Sequence, residues 1–178
     1  GKTALQSQLA LELLENNEDT VVIIQTIDDT RAQFNRRLVV QLARDFAEKI
    51  GMDIAKDITL NKIANPLFWQ NTYPKENVGL VEVREHGYER LISFIKNGRL
   101  YIKDTTHGAT LVFLERLVTK VKKDNPNAKV VVILDNFHKT QDFSNLDERS
   151  AVKRKSQFLK TNIAQGYGCT VFSTFEYK

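Results

Sequence analysis

The amino-acid sequence predicts an α/β fold in which a parallel β-sheet is flanked by helices. Short apolar runs rich in Val and Ile, such as TVVIIQ and AKVVVILDN, are typical of strands that are buried on both faces. Between them lie stretches with apolar residues every three or four positions, which is the spacing of a helix. Alternation of the two patterns indicates strand–helix–strand units with parallel strands.

The first half of the chain is predicted to be mostly helical. Leu5, Leu9 and Leu13 recur at helical spacing, whereas Pro66 and Pro74 favour irregular backbone. In order, we expect a helix from Thr3 to ENNEDT, the strand TVVIIQ, a helix over DDTRAQFNRRLVVQLARDFAEKIG, a short helix over DIAKDITLNKIA, a loop over NPLFWQNTYPKENVG, and a helix over LVEVREHGYERLISFIKNG despite its internal glycine.

The second half alternates more regularly. In order, we expect a strand over RLYIKD, a helix over ATLVFLERLVTKVKKD, the strand AKVVVILDN, a helix over LDERSAVKRKSQFLKTNIAQGYG, and a last strand over CTVFSTFEYK. Because the chain ends on a strand and begins without one before its first helix, we expect a single domain fragment over residues 1–178 that is cut at both ends.

Composition limits the class of protein. The 178 residues suit one domain, and 42% hydrophobic with 27% charged residues is ordinary for a globular protein. No apolar run reaches the length of a membrane helix, so no membrane partner is expected. The single Cys169 excludes an internal disulfide and favours the cytoplasm. A net charge of +4 permits an anionic partner without requiring one.

The first three residues form a candidate phosphate-binding element. Gly1, Lys2 and Thr3 match the end of the G-x-x-x-x-G-K-[ST] loop, in which backbone N–H groups and the Lys bind phosphates and the hydroxyl binds Mg²⁺. The triplet occurs by chance in roughly one chain of this size in ten, so it is weak alone. It gains weight because a helix follows it directly, and helix N-termini bind phosphate.

Asp135 is the candidate partner of that element. It follows the apolar run VVVIL, and ligands of open α/β sheets gather at the carboxyl ends of the strands. The alternative is an Asp that forms a turn or caps a helix. Together with the phosphate-binding triplet at a helix start, the metal-binding interpretation is favoured.

Several segments in order resemble the motor domain of DnaB-type replicative helicases, which are RecA-like ATPases of the P-loop class. They are GKTAL, VVIIQTIDDTRAQFNRRL, GRLYIKDTTHGATL, VVVILDNFHK and CTVFSTFEYK. The likeness touches nearly the whole chain and is weakest over residues 52–97. It implies a RecA-like P-loop core that lacks its first strand and its last strands, with the arginine finger beyond Lys178.

The resemblance also implies an activity and a set of roles. The activity is hydrolysis of Mg²⁺-bound ATP by a homo-oligomeric ring, expected to be a hexamer, that translocates on single-stranded DNA. Gly1, Lys2 and Thr3 would bind the nucleotide, and Thr3 and Asp135 would hold Mg²⁺. Lys2 would also neutralise phosphate charge during the reaction.

Two departures from the family pattern affect these roles. Where the family has Ser-Leu-Glu-Met, this chain reads QTIDDT, so that Asp28 aligns with the Glu that activates water and Asp29 is the rival. Asp29 could instead cap the next helix. Thr174 stands at the position of a Gln that senses the γ-phosphate, and a hydroxyl can make the same hydrogen bond.

Other polar residues have weaker assignments. His138 and Lys139 follow the Asp135 segment and are candidates for nucleotide contact, DNA contact or coupling, with a structural histidine as the alternative. The basic run with Lys153, Arg154, Lys155 and Lys160 is predicted to be a solvated helix face, or a DNA or subunit contact. Two other functions stay open: a RecA-like ATPase in recombination or regulation, and a nucleotide-binding module that has lost hydrolysis.

Overall fold

The computed structural model describes residues 2–175, which group into two compact units. Unit 1 contains the chain up to Arg31 and from Gly98 onward, and unit 2 contains Ala32–Asn97. No helix of the described residues is long and apolar enough to span a membrane. The single domain expected from the sequence stays a prediction.

A four-stranded sheet forms the centre of unit 1. Its strands are β1 (Thr20–Gln25), β2 (Leu100–Lys103), β3 (Lys129–Leu134) and β4 (Thr170–Ser173). The strand order is β2-β1-β3-β4, and all three pairings are parallel. Every residue of β1 is buried, as its β-branched sequence predicts for a central strand. The predicted parallel sheet is therefore confirmed. Its last strand, predicted over CTVFSTFEYK, ends at Ser173, and residues 176–178 of that segment lie outside the described residues.

Three α-helices within residues 2–175 belong to unit 1 in full. They are α1 (Lys2–Asn16), α6 (Leu111–Asp124) and α7 (Glu148–Phe158), and a π-helix over Leu159–Gln165 continues α7. The helix α1 contacts β1. Alternate residues of the central strands pack against the apolar stripes of α6 and the π-helix. This core comprises Val21, Ile23, Val130, Val132, Leu134, Leu111, Leu114, Val118, Val121, Phe137, Leu159, Ile163 and Cys169.

Unit 2 is helical. It contains α2 (Arg31–Lys49, whose first residue belongs to unit 1), a 3₁₀ turn at Asp53–Asp57, α3 (Leu60–Ala64), α4 (Pro66–Thr72) and α5 (Leu80–Lys96). Gly87 is accommodated in α5 because a Cβ there would lie 2.9 Å from the carbonyl oxygen of Val39, so that only glycine allows this close approach.

The predicted loop over residues 65–79 is wrong in its first half. Pro66 begins α4 at the first helical position, where its missing N–H costs nothing, and the helix ends at Thr72. The predicted short helix over residues 53–64 is instead two segments, the 3₁₀ turn and α3, which is capped by the side chain of Thr59. Proline therefore marks a helix start here and not an irregular loop.

Candidate nucleotide site

The carboxyl ends of the four parallel strands meet at one edge of the sheet in unit 1. Gln25 is in register with Lys103 and with Leu134, and Leu134 is in register with Ser173. The residues that follow these strands therefore lie side by side. The backbone N–H of Asp135 donates to the carbonyl of Gln25 (3.0 Å), and that of Thr174 donates to the carbonyl of Leu134 (3.1 Å).

Asp135 is a buried carboxylate at the centre of this edge. It is only 2% exposed, and its Oδ1 accepts a hydrogen bond from Thr174 Oγ1 (2.8 Å). Burial raises the pKa of Asp135, the carboxylates of Asp28 and Asp29 raise it further, and the Thr174 hydroxyl and the Lys139 ammonium oppose the rise. An ionised Asp135 therefore has too little positive charge around it, and a cation would stabilise it.

The hydroxyl of Thr174 has three hydrogen-bond partners in two segments of the chain. It donates to Asp135, and it accepts from the backbone N–H of Asn136 (2.9 Å) and from Nε2 of Gln6 on α1 (3.3 Å). Gln6 is 5% exposed, and its Oε1 is buried without a hydrogen-bond partner within residues 2–175. Thr174 thus connects the first helix to the buried carboxylate.

Lys2 and Thr3 lie in the first turn of α1. The Lys2 ammonium donates to the carbonyl of Phe175, the residue after Thr174 (2.6 Å). The ammonium therefore reaches the same edge of the sheet. The backbone carbonyl of Thr3 accepts from Ser7 Oγ (2.9 Å), and Thr3 itself is half-buried. Gly1 lies outside the described residues.

Asp28 is held beside Asp135 by two donors on a single oxygen. Asn136 Nδ2 and Lys139 Nζ both donate to Asp28 Oδ2, the latter over 2.7 Å. The side chains of Asp28 and Lys139 are each 38% exposed, so water reaches this pair. Asn136 has left-handed backbone angles (φ 52°, ψ 55°), a conformation that Asn tolerates better than most residues. The rival Asp29 accepts through its carbonyl from Thr26 Oγ1.

His138 and the basic run differ in their surroundings. The ring of His138 lies edge-on to Phe175 with centroids 4.8 Å apart. The expectation that the whole basic run is solvated is wrong for Lys155, which is 4% exposed and donates to the carbonyls of His138 and Thr140 (2.6 Å each). Lys153, Arg154 and Lys160 are exposed as predicted.

A second aspartate, Asp104, follows β2 at the same edge of the sheet. Its Oδ2 accepts from the backbone N–H of Arg31 (2.7 Å), and its Oδ1 accepts from Thr106 Oγ1 (2.6 Å) and His107 Nδ1 (2.8 Å). The hydrogen bonds from Thr106 and from the N–H of Arg31 hold the pKa of Asp104 well below its usual range. Asp104 is thus fully engaged within the protein.

Five residues that the sequence predicts for one site do lie at one edge of the sheet: Lys2, Asp28, Asp135, Thr174 and Lys139. The sequence did not predict the hydrogen bonds that Gln6, Asn136 and Lys155 make to this edge. Gln6 is four residues after Lys2 and hence on the same helix face, and Asn136 directly follows Asp135. Those spacings are signals that could have identified two of the three.

The carboxylate oxygens at this edge are suitable ligands for Mg²⁺. Among the described residues, no cluster of three or more His, Cys, Asp or Glu side chains could hold a metal by itself. Mg²⁺ does not require such a cluster, because it is commonly bound by one or two carboxylates together with water and substrate phosphates. Buried Asp135, crowded by two further carboxylates, supplies the charge for that arrangement.

Comparisons with known proteins identify the fold. No protein-family profile matches the chain, and no curated protein matches it. Among solved structures, that of an ATPase domain matches 97% of this chain with a TM-score of 0.71 and 20% identity. A structure of a DnaB-like replicative helicase and its interactions with primase matches 88% with a TM-score of 0.63 and 18% identity.

These matches confirm the predicted α/β fold, that of part of a RecA-like ATPase domain, and the predicted structural likeness to DnaB-like helicases. At this level of sequence identity the likeness concerns the fold alone. The chain spans about half of the first structure's chain (52%) and about a third of the second (32%).

Proposed function

We propose that the chain is the nucleotide-binding core of a motor that hydrolyses Mg²⁺-bound ATP and translocates on single-stranded DNA. One observation carries this proposal. The carboxylate of Asp135, the hydroxyl of Thr174 and the ammonium of Lys2 converge at the carboxyl edge of a parallel sheet, within hydrogen-bond reach of one another or of adjacent residues. Ligands of open α/β sheets bind at that edge.

Binding of the triphosphate is assigned to the start of α1. Lys2 supplies a positive charge there, and the first backbone N–H groups of a 15-residue helix favour an anion. Phosphate oxygens are stronger acceptors for an ammonium than a neutral carbonyl. The phosphates would therefore replace the Phe175 carbonyl as the partner of Lys2.

Asp135 and Thr3 would hold Mg²⁺, with Asp135 acting through the metal's water shell. The ion supplies charge neutralisation on the phosphates, and the charge shortage around Asp135 supports its placement there. Thr174 keeps the Asp135 carboxylate in one orientation through the 2.8 Å hydrogen bond.

Asp28 would orient and deprotonate the attacking water. The water oxygen bonds to the γ-phosphorus as the bond from that phosphorus to the β–γ bridging oxygen breaks; ADP leaves with those electrons, and the water proton passes to the carboxylate. Asn136 and Lys139 fix Asp28 through Oδ2. Asp29, also close enough to act on the charge of Asp135, is the rival base.

Thr174 is suited to sensing the γ-phosphate because its hydroxyl already links Gln6 of α1 to Asp135 and Asn136, the first two residues after β3. A change in its hydrogen bonds would reach Asn136 and hence the turn with His138 and Lys139. These two residues are the candidates for coupling or DNA contact. By likeness to DnaB-type proteins, the assembly is a hexameric ring.

The test is turnover of ATP by the intact protein with and without single-stranded DNA. We expect Mg²⁺-dependent hydrolysis that DNA stimulates, and DNA affinity that falls steeply with salt because basic groups contact phosphates. Lys2→Ala should impair nucleotide binding itself. Hydrolysis without DNA stimulation or strand separation would favour a recombination or regulatory ATPase, and binding without hydrolysis would favour a nucleotide-binding module.

A further inference from the structure

Lys155 is a buried cation that donates two hydrogen bonds to one short turn, residues 136–140. It lies on α7 with only 4% of its surface exposed, although Arg154 and Ser156 on either side are exposed. Its ammonium donates to the carbonyls of His138 and Thr140, each over 2.6 Å. A neutral side chain of similar length would fill the same space without those bonds.

The two carbonyls flank Lys139. Within this turn, the N–H of Lys139 donates to the carbonyl of Asn136 (2.9 Å), and the hydroxyl of Thr140 donates to the carbonyl of Phe137 (3.0 Å). The ammonium of Lys155 therefore fixes the backbone immediately before and after Lys139 from a separate helix.

The turn at residues 136–140 contains the two residues that donate hydrogen bonds to Asp28. Asn136 Nδ2 and Lys139 Nζ both donate to Asp28 Oδ2. A displacement of the backbone at residues 138–140 would move Lys139 and so remove one of the two donors to Asp28 Oδ2. The path from Lys155 to Asp28 consists of two successive sets of hydrogen bonds.

Burying this charge is costly. Burial lowers the pKa of Lys155, and the carboxylate of Asp142 partly opposes that change. Asp142 itself accepts from the N–H of Leu111 at the start of α6 (2.8 Å). Since apolar residues of similar volume often stabilise a protein as well as a buried ionic group does, stability alone does not account for a lysine at this position.

We infer that Lys155 is a positioning residue for hydrolysis: it holds the turn at residues 136–140 so that Lys139 and Asn136 keep Asp28 oriented toward the attacking water. This inference rests on the proposed function. It assigns Lys155 no contact with the nucleotide, and it predicts an effect on the chemical step and not on nucleotide binding.

The experiment compares Lys155→Met with Lys120→Met in the intact protein. Lys120 is an exposed lysine of α6 and serves as the matched control. We expect Lys155→Met to lower kcat by about 10-fold or more, as expected when a reacting group is misplaced, with KM and the affinity for a fluorescent ATP analogue nearly unchanged. Lys120→Met should match the wild type in all three.

A double-mutant cycle with Lys139→Met separates positioning from general destabilisation. If Lys155 acts through Lys139, the loss from Lys155→Met shrinks when Lys139 is already Met. Amide hydrogen exchange at residues 136–140 should also become faster in Lys155→Met. Should that variant fail to fold, Lys155→Gln, which retains a donor for one carbonyl, should give a smaller loss of kcat with the same non-additivity.

An unchanged kcat in folded Lys155→Met, or fully additive losses with Lys139→Met, would overturn this inference while leaving the proposed function intact. Absence of ATP turnover in the wild-type protein would overturn the proposed function instead.

Discussion

Asp135 and Asp104 occupy equivalent places, each directly after a parallel strand at the same edge of the sheet, yet their surroundings are opposite. Asp104 accepts hydrogen bonds from Thr106, Arg31 and His107, which lower its pKa. Asp135 accepts one from Thr174, and burial raises its pKa. Its position after a strand is therefore not enough to predict that an aspartate binds a metal. A shortage of protein donors around a buried carboxylate is the more informative feature.

The largest expected effect concerns Asp28, the third carboxylate of this edge. Asp28→Asn in the intact protein should lower ATP hydrolysis by about 10²-fold or more, because this substitution removes the proposed general base. Binding of a fluorescent ATP analogue in the presence of Mg²⁺ and assembly of the proposed ring should be nearly unchanged. The measurement is steady-state phosphate release beside a binding titration.

Asp29→Asn is the matched control for that prediction, since Asp29 is the neighbouring carboxylate and also acts on Asp135 by charge. Near-normal turnover in Asp28→Asn would remove Asp28 as the base. A collapse of turnover in Asp29→Asn alongside it would transfer the role to Asp29.

Much of this comparison was predictable from the sequence, and part of it was not. The strands follow from runs of β-branched residues, and Asp135 follows from its place after VVVIL. The sequence could not predict that Lys155 is buried, because the residues before it in the chain are charged and its two acceptors lie 15 and 17 residues earlier. The contact of Lys2 with Phe175, 173 residues away, is likewise a product of the tertiary fold.

The two aspartates should also differ in their contribution to stability. Asp104→Asn should lower the free energy of unfolding by about 1–3 kcal/mol, because it weakens the hydrogen bonds that the Asp104 carboxylate accepts from Thr106, Arg31 and His107. Asp135→Asn should leave the unfolding free energy without nucleotide unchanged or slightly higher, because it removes a buried charge beside two others. Urea unfolding of both variants tests this difference. A larger loss in Asp135→Asn than in Asp104→Asn would contradict it.

A smaller effect is the pH dependence of these differences in the free energy of unfolding. The folded pKa of Asp104 is lowered, so its contribution to stability is present above the unfolded value of about 4 and is lost as the pH falls toward the folded value. The stability gap between wild type and Asp104→Asn should therefore narrow below about pH 4.

For Asp135 the folded pKa is raised, so the sign is reversed. Its ionised form costs stability at neutral pH, and this cost disappears as the pH falls through the raised folded value toward about 4. Any advantage of Asp135→Asn over the wild type should therefore vanish on acidification. Urea midpoints measured from about pH 7 to about pH 3 for the three proteins would reveal the two opposite trends, and parallel trends would refute the assigned pKa directions.

The most direct test of the account is the Mg²⁺ dependence of nucleotide binding in the wild type, Asp135→Asn and Asp104→Asn. A fluorescent ATP analogue is titrated into each intact protein with Mg²⁺ and with a chelator. We predict that Mg²⁺ strengthens binding to the wild type and to Asp104→Asn by the same factor and gives little gain with Asp135→Asn. If Asp135→Asn kept the full gain, or if Asp104→Asn alone lost it, the assignment of Asp135 as the metal-binding carboxylate would be contradicted.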